Sequence, residues 1–87
     1  MENIMNLIEI NEYIIEEMGF AEKNNENVTI RLNLSDGECL ELWFDEETEC
    51  YSWTAASFEY EDVYSATHDI MEWLEDRSLN VIGMETI

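Results

Sequence analysis

Residues 28–44 read Val28-Thr29-Ile30-Arg31-Leu32-Asn33-Leu34, then Ser35-Asp36-Gly37-Glu38, then Cys39-Leu40-Glu41-Leu42-Trp43-Phe44. The first seven alternate apolar and polar without a break, which is the period of a strand with one buried face. Leu40, Leu42 and Phe44 repeat that spacing, and the polar run between the two stretches has the make-up of a tight hairpin. A three-residue loop, Ser35-Asp36-Gly37, puts Gly37 in the left-handed position of a bulge. It sets Leu34 opposite Glu38, Leu32 opposite Leu40, Ile30 opposite Leu42 and Val28 opposite Phe44. A two-residue Asp-Gly loop sets Leu32 against Glu41 and Ile30 against Trp43, which mixes the two faces, so the three-residue loop is the expected one.

Downstream, Asp45-Glu46-Glu47-Thr48 reads as the next turn and residues 49–55 as a third strand. A four-residue loop there pairs Leu42 with Tyr51 and Leu40 with Trp53. The other face of the meander then carries Thr29, Arg31, Cys39, Glu41, Trp43, Cys50, Ser52 and Thr54, with Arg31 and Glu41 as cross-strand neighbours. Upstream, residues 2–18 have helical spacing: Ile4, Leu7, Ile8, Ile10, Ile14, Ile15 and Met18 gather on one side, and Glu2, Glu9, Glu12, Glu16 and Glu17 on the other. Gly19 stands where a helix C-terminal glycine belongs. Asn11 falls inside the apolar stripe, where it needs a hydrogen-bond partner if buried.

Ser57 has the chemistry of an N-cap for a second helix over residues 58–77. Its core side holds Tyr60, Val63, Ala66, Thr67, Ile70 and Leu74. Residues 79–87 are apolar enough for a fourth strand, interrupted by Gly83. The expected architecture is α+β in a single domain spanning 1–87: helix, three-stranded antiparallel meander, helix, and a candidate C-terminal strand, with both helices on one sheet face. Leu32, Leu40, Leu42, Tyr51, Trp53, Ile14, Val63 and Ile70 are expected in one core.

The charge balance restricts function more than any motif does. The 87 residues contain 22 acids and only 3 Lys or Arg, a formal charge of -19 at pH 7, yet 46% of the chain is hydrophobic. That apolar content is too high for a disordered acidic tail, so the chain is expected to fold against its own repulsion. Lys23, Arg31 and Arg77 are too few cations to grip phosphate, which excludes direct nucleic-acid binding and an anionic membrane surface. No apolar run approaches the length of a membrane span, and a cytoplasmic location is expected. Glutamate far outnumbers aspartate, unlike the Asp-rich surface expected of salt adaptation. Two cysteines make no disulfide scaffold. In the expected register Cys39 and Cys50 lie about four residues apart along the strands, too far to share a bond or a zinc ion.

Catalysis has little to work with, and the chain is read as a non-enzyme. His68, the single histidine, sits on the acidic side of the second helix with no nucleophile beside it. The acids lie on convex helix faces rather than in a cleft that would separate their pKa values. Asp45, Glu46, Glu47 and Glu49 lack the ligand spacing and central glycine of a calcium loop. No metal and no cofactor are expected.

The acids are also placed where they oppose folding. Glu16 and Glu17 close the expected first helix, and Glu72, Glu75 and Asp76 the second, where the helix dipole favours cations by about 0.3–1 kcal/mol each. A requirement other than stability is expected to keep them. Carboxylates at helical spacing stand about 5–6 Å apart, on the scale of phosphates along a nucleic-acid strand, and a basic cleft attracts such a stripe at long range. The candidate contacts are Asp45, Glu46, Glu47 and Glu49 in the turn, Glu61, Asp62, Asp69, Glu72 and Asp76 along the second helix, and Trp43, an aromatic out of place on an outer sheet face. The alternative is a generic acidic interaction or adaptor module for a basic partner.

In size, charge and helix–meander–helix architecture the whole chain resembles the small acidic, phage-encoded DNA-mimic inhibitors. Among these are anti-CRISPR proteins, anti-restriction proteins and uracil-DNA glycosylase inhibitors, and the arrangement is similar to that of an anti-CRISPR inhibitor of the RNA-guided DNA nuclease. The resemblance implies host-defence evasion: an inhibitor in the infected bacterial cytoplasm that occupies the DNA or guide-RNA site of a nuclease complex, a CRISPR effector before others. Monomer and homodimer are both compatible with it.

Overall fold

A computed structural model describes residues 6–87. The elements run α1 (Leu7–Asn24), β1 (Val28–Leu34), β2 (Cys39–Asp45), β3 (Cys50–Trp53), α2 (Val63–Asp76) and β4 (Val81–Thr86). The strands form one antiparallel sheet in the order β3-β2-β1-β4. The protein is an α+β fold, and its C-terminal segment is a strand that joins the free side of β1 rather than extending the meander.

The β1–β2 hairpin has the three-residue loop: Val28 pairs with Phe44, Ile30 with Leu42 and Leu32 with Leu40. Leu34 N–H donates to the Glu38 carbonyl at 2.9 Å, and Gly37 takes φ +89°, a conformation strained for any residue with a Cβ. Buried Ile30, Leu32, Leu40, Leu42, Phe44, Tyr51 and Trp53 come from one sheet face and meet Ile14 and Met18 of α1 and Val63, Ile70 and Leu74 of α2 in one core. Both helices therefore cover the same face.

Several local readings are corrected. The β2–β3 register is displaced by two residues: Leu42 pairs with Trp53 and Phe44 with Tyr51, not Leu42 with Tyr51. Asp45 stays in the strand, paired with Cys50, and the loop is residues 46–49. Polar bonds select this loop. Asp45 Oδ1 accepts from Glu47 N–H at 2.9 Å, Asn27 Oδ1 accepts from Glu46 N–H at 2.8 Å, and Glu49 closes the turn at φ 57°. A two-residue slip leaves every side chain on its face, so the hydrophobic pattern could not reveal it. With Cys50 opposite Asp45, the two free cysteines lie farther apart than expected.

The first helix passes through Gly19 and ends at Asn25, which adopts the left-handed cap conformation. A mid-helix glycine costs about 1 kcal/mol, and continuing past it buries Ala21. Glu16 and Glu17 are thus mid-helix, and Lys23 occupies the last turn. The N-cap is Asn6; Glu2 and Ile4 lie outside the described residues. Leu7 and Ile8 are exposed, and Asn11 is half-buried with access to water.

The second helix starts at Val63, capped by Asp62 rather than Ser57. Tyr60 is buried as expected but is extended, exchanging two backbone hydrogen bonds of 2.7 and 2.8 Å with Tyr51. That bridge forbids helical backbone at Tyr60 and covers the open edge of β3. The third strand is correspondingly shorter than 49–55, and Thr54 instead bonds Glu41 through its backbone N–H and its hydroxyl.

Candidate functional site

The Tyr51–Tyr60 bridge brings together two acidic segments that are far apart in sequence. Glu49 precedes Tyr51 and Asp62 follows Tyr60, so in an antiparallel bridge both leave from the same end. From Asp62 the helix continues the charge: Asp62, Asp69, Glu72 and Asp76 follow one flank at helical spacing, while Val63, Ala66, Ile70 and Leu74 point to the core. Turn and flank thus meet where Glu49 and Asp62 leave the bridge, while Asp45 lies on the outer sheet face with Glu41 and Trp43. Glu75 lies at the edge of the α2 row, about 60° around the helix from Glu72 and about 120° from Asp69.

The candidate acids fall into two groups. Glu46, Glu47, Glu49, Glu61, Glu72 and Asp76 are exposed and accept no hydrogen bond from a backbone N–H or a hydroxyl among the described residues. The other three also hold the fold. Asp45 caps the turn; Asp62 accepts from Ser65 N–H at 2.8 Å and from the Ser65 hydroxyl at 3.1 Å; Asp69 Oδ2 accepts from the Tyr60 hydroxyl at 2.7 Å. Tyr60 Oη accepts in turn from Trp53 Nε1 at 3.2 Å, which runs a polar chain from core to surface.

Burial raises the Tyr60 hydroxyl pKa, with the Asp69 bond adding and the Trp53 N–H opposing. Burial also raises that of Tyr51, reinforced by its 3.0 Å bond to Glu22 and by the charges of Glu22 and Asp62. Glu22 had no place among the sequence candidates. Its link to Tyr51 depends on α1 continuing beyond Gly19, and no periodicity in the expected helix revealed it.

Positive charge is scarce on this surface. His68 Nδ1 lies 3.5 Å from Asp69 Oδ1 and 3.7 Å from Glu72 Oε2. These three side chains can bring ligand atoms within 4.8 Å of one another, but one Asp69 oxygen is already held by Tyr60. Arg77 stacks 4.2 Å from the Trp73 ring centroid, just past the C-terminus of α2. The last turn of α2 holds no basic residue, so Glu75 and Asp76 do oppose the helix dipole.

Trp43 does not join the acids of α2. It is 37% exposed on the sheet face away from both helices, between Thr29 and Ser52. Compared with known protein families, with curated proteins and with solved structures, the chain matches none. No helix among the described residues is long and apolar enough to cross a membrane.

Proposed function

We propose that this protein is an inhibitor that mimics nucleic acid and occupies the DNA- or RNA-binding cleft of a bacterial defence nuclease, with a CRISPR effector as the preferred target. The supporting observation is that the acids of the 46–49 turn and those along the flank of α2 from Asp62 to Asp76 are joined by the Tyr51–Tyr60 bridge, with most of their carboxylates exposed. Held on a capped helix and a hydrogen-bonded turn, these charges lose little freedom on binding. The action is binding rather than catalysis, in the cytoplasm of an infected host, with a basic protein as partner and no direct contact to nucleic acid.

The test is competition. A purified RNA-guided nuclease is titrated with the full chain while its binding of labelled target DNA is followed, at low and at high salt. The expected result is mutual exclusion of inhibitor and DNA, weakening steeply with salt. A ternary complex of nuclease, DNA and this protein overturns the reading for that target. Capture of assorted basic proteins from lysate, with no nuclease among them, favours the generic acidic module instead.

A further inference from the structure

The sheet has two edges, and the described residues close only one of them. Tyr60 covers β3 through its bridge to Tyr51, whereas β4 ends the sheet with no strand on its far side. Ile87 N–H donates to the Thr29 carbonyl at 2.8 Å, which fixes the phase of the ladder: residues 85 and 87 bond to β1. Met84 and Thr86 therefore turn their N–H and C=O groups away from β1, and no described residue bonds them. We propose that this edge accepts an extended, lysine- or arginine-rich segment of a partner protein as a fifth strand.

Little in β4 blunts the edge. The chain contains no proline and β4 no lysine, two devices that commonly protect an edge strand. The bulge opposite Asn33 and Leu34 lies at the start of β4 and leaves Met84 to Thr86 in regular register. The one charge in the strand, Glu85, is held by Arg31 at 3.3 Å. Unpaired ladder groups are matched in series by another extended backbone, so the occupant is a polypeptide rather than a nucleic acid or a small molecule.

The ground beside the edge selects the side chains of that polypeptide. At the start of β4, Leu7, Ile10, Leu74, Leu79 and Val81 line an open cleft of about 500 Å³, with Glu75 beside them, which offers room for an apolar side chain. Towards the other end, the Tyr13 hydroxyl lies 2.8 Å from Thr86 Oγ1, so α1 runs alongside the strand. Glu9, Glu16 and Glu17 share the Tyr13 side of α1, at i−4, i+3 and i+4. That row favours a cationic strand and repels a second copy of a chain with a charge of -19. None of this depends on the inhibitor reading.

Amide hydrogen exchange of the full chain, read residue by residue by NMR, tests the proposal. In the free chain the Met84 and Thr86 amides are expected to exchange quickly, while that of Glu85, bonded into β1, is protected. A short synthetic peptide alternating valine and lysine is expected to protect both Met84 and Thr86, and its valine–glutamate counterpart to leave them unchanged. Thr86→Pro removes an outward N–H without costing a bond to β1, and is expected to weaken binding of the lysine peptide ~10-fold. Glu9→Lys with Glu16→Lys is expected to weaken it as well, and decides the matter if Thr86→Pro fails to fold. Protection of Met84 and Thr86 in the free chain overturns the proposal: protection that rises with protein concentration gives the edge to a second copy, and constant protection gives it to the chain itself. Equal protection by both peptides overturns it too. So does a lysine peptide that leaves the two amides unprotected, including one that shifts Asp69 and Glu72 instead, because it then binds only as a cation.

Discussion

The Tyr60 hydroxyl donates to Asp69 Oδ2 at 2.7 Å, so one carboxylate of the acidic row is tied to the core through Tyr60 and Trp53. Charge on this surface therefore does two different jobs. Some acids hold the fold and also face outward; others only face outward. Any mutational map of binding has to separate them, because losing a fold-holding acid reduces activity by lowering the folded population.

Asp62 and Glu47 make the contrast measurable. Asp62 caps α2 through two bonds to Ser65, and Asp62→Ala is expected to destabilise by about 0.5–2 kcal/mol. Glu47 is exposed in the turn, and Glu47→Gln is expected to stay within about 0.5 kcal/mol of the parent. Urea denaturation of the two variants decides. Equal effects would show that the cap is not formed.

Leu42 tests the core. It is fully buried and pairs with Ile30 on one side and Trp53 on the other. Leu42→Ala is expected to cost about 2–5 kcal/mol, depending on how far the neighbours collapse. An unchanged melting curve would mean that the inner face of the sheet is not the core.

Legibility followed the kind of information involved. Alternation and helical spacing located the β1–β2 register, the core residues of α2 and the pairing of Arg31 with Glu41, because burial imposes those periods on the sequence. Element ends were less legible. Gly19 has the residue type of a helix stop, but the decision depended on Ala21, whose burial beyond it keeps the helix going. Ser57 has the residue type of a cap, but Tyr60 is held extended by Tyr51. The candidate acids were legible as charge, while the structural roles of Asp45, Asp62 and Asp69 come from tertiary partners that no local pattern encodes.

Alkaline pH exposes the two buried tyrosines. Burial is the first cause raising both the Tyr51 and Tyr60 hydroxyls above their ordinary value. In the unfolded chain they ionise near ~10, so above that pH the unfolded state binds fewer protons than the folded one. Stability is therefore fully present below the unfolded value and falls as pH rises from there toward the folded values. Tyr51→Phe removes one of these groups and its bond to Glu22. It is expected to lower stability at neutral pH by about 1.5–3 kcal/mol and to flatten the alkaline decline. Thermal melts at neutral pH and above pH ~10 provide the comparison, and an unchanged alkaline slope in Tyr51→Phe would refute the assignment.

Asp76 and Glu75 set stability against binding most sharply. Both lie in the last turn of α2, which contains no basic residue, so a cation at either position complements the helix dipole. Asp76→Lys and Glu75→Lys are each expected to stabilise by about 0.3–1 kcal/mol, together with relief of repulsion. Asp76 lies about 20° around the helix from Asp69 and about 40° from Glu72, inside the row, whereas Glu75 lies about 120° from Asp69 and about 60° from Glu72, at its edge. Under the proposed function, Asp76→Lys raises the melting temperature by a few degrees and lowers target affinity, chiefly by slowing association. Glu75→Lys gives the same stabilisation with a smaller loss of binding. Surface plasmon resonance against the nuclease, at low and high salt, separates the two, and the difference is expected to shrink as salt screens it. If both reversals stabilise the chain and neither slows association, the α2 flank is not the contact surface, and its acids need another explanation.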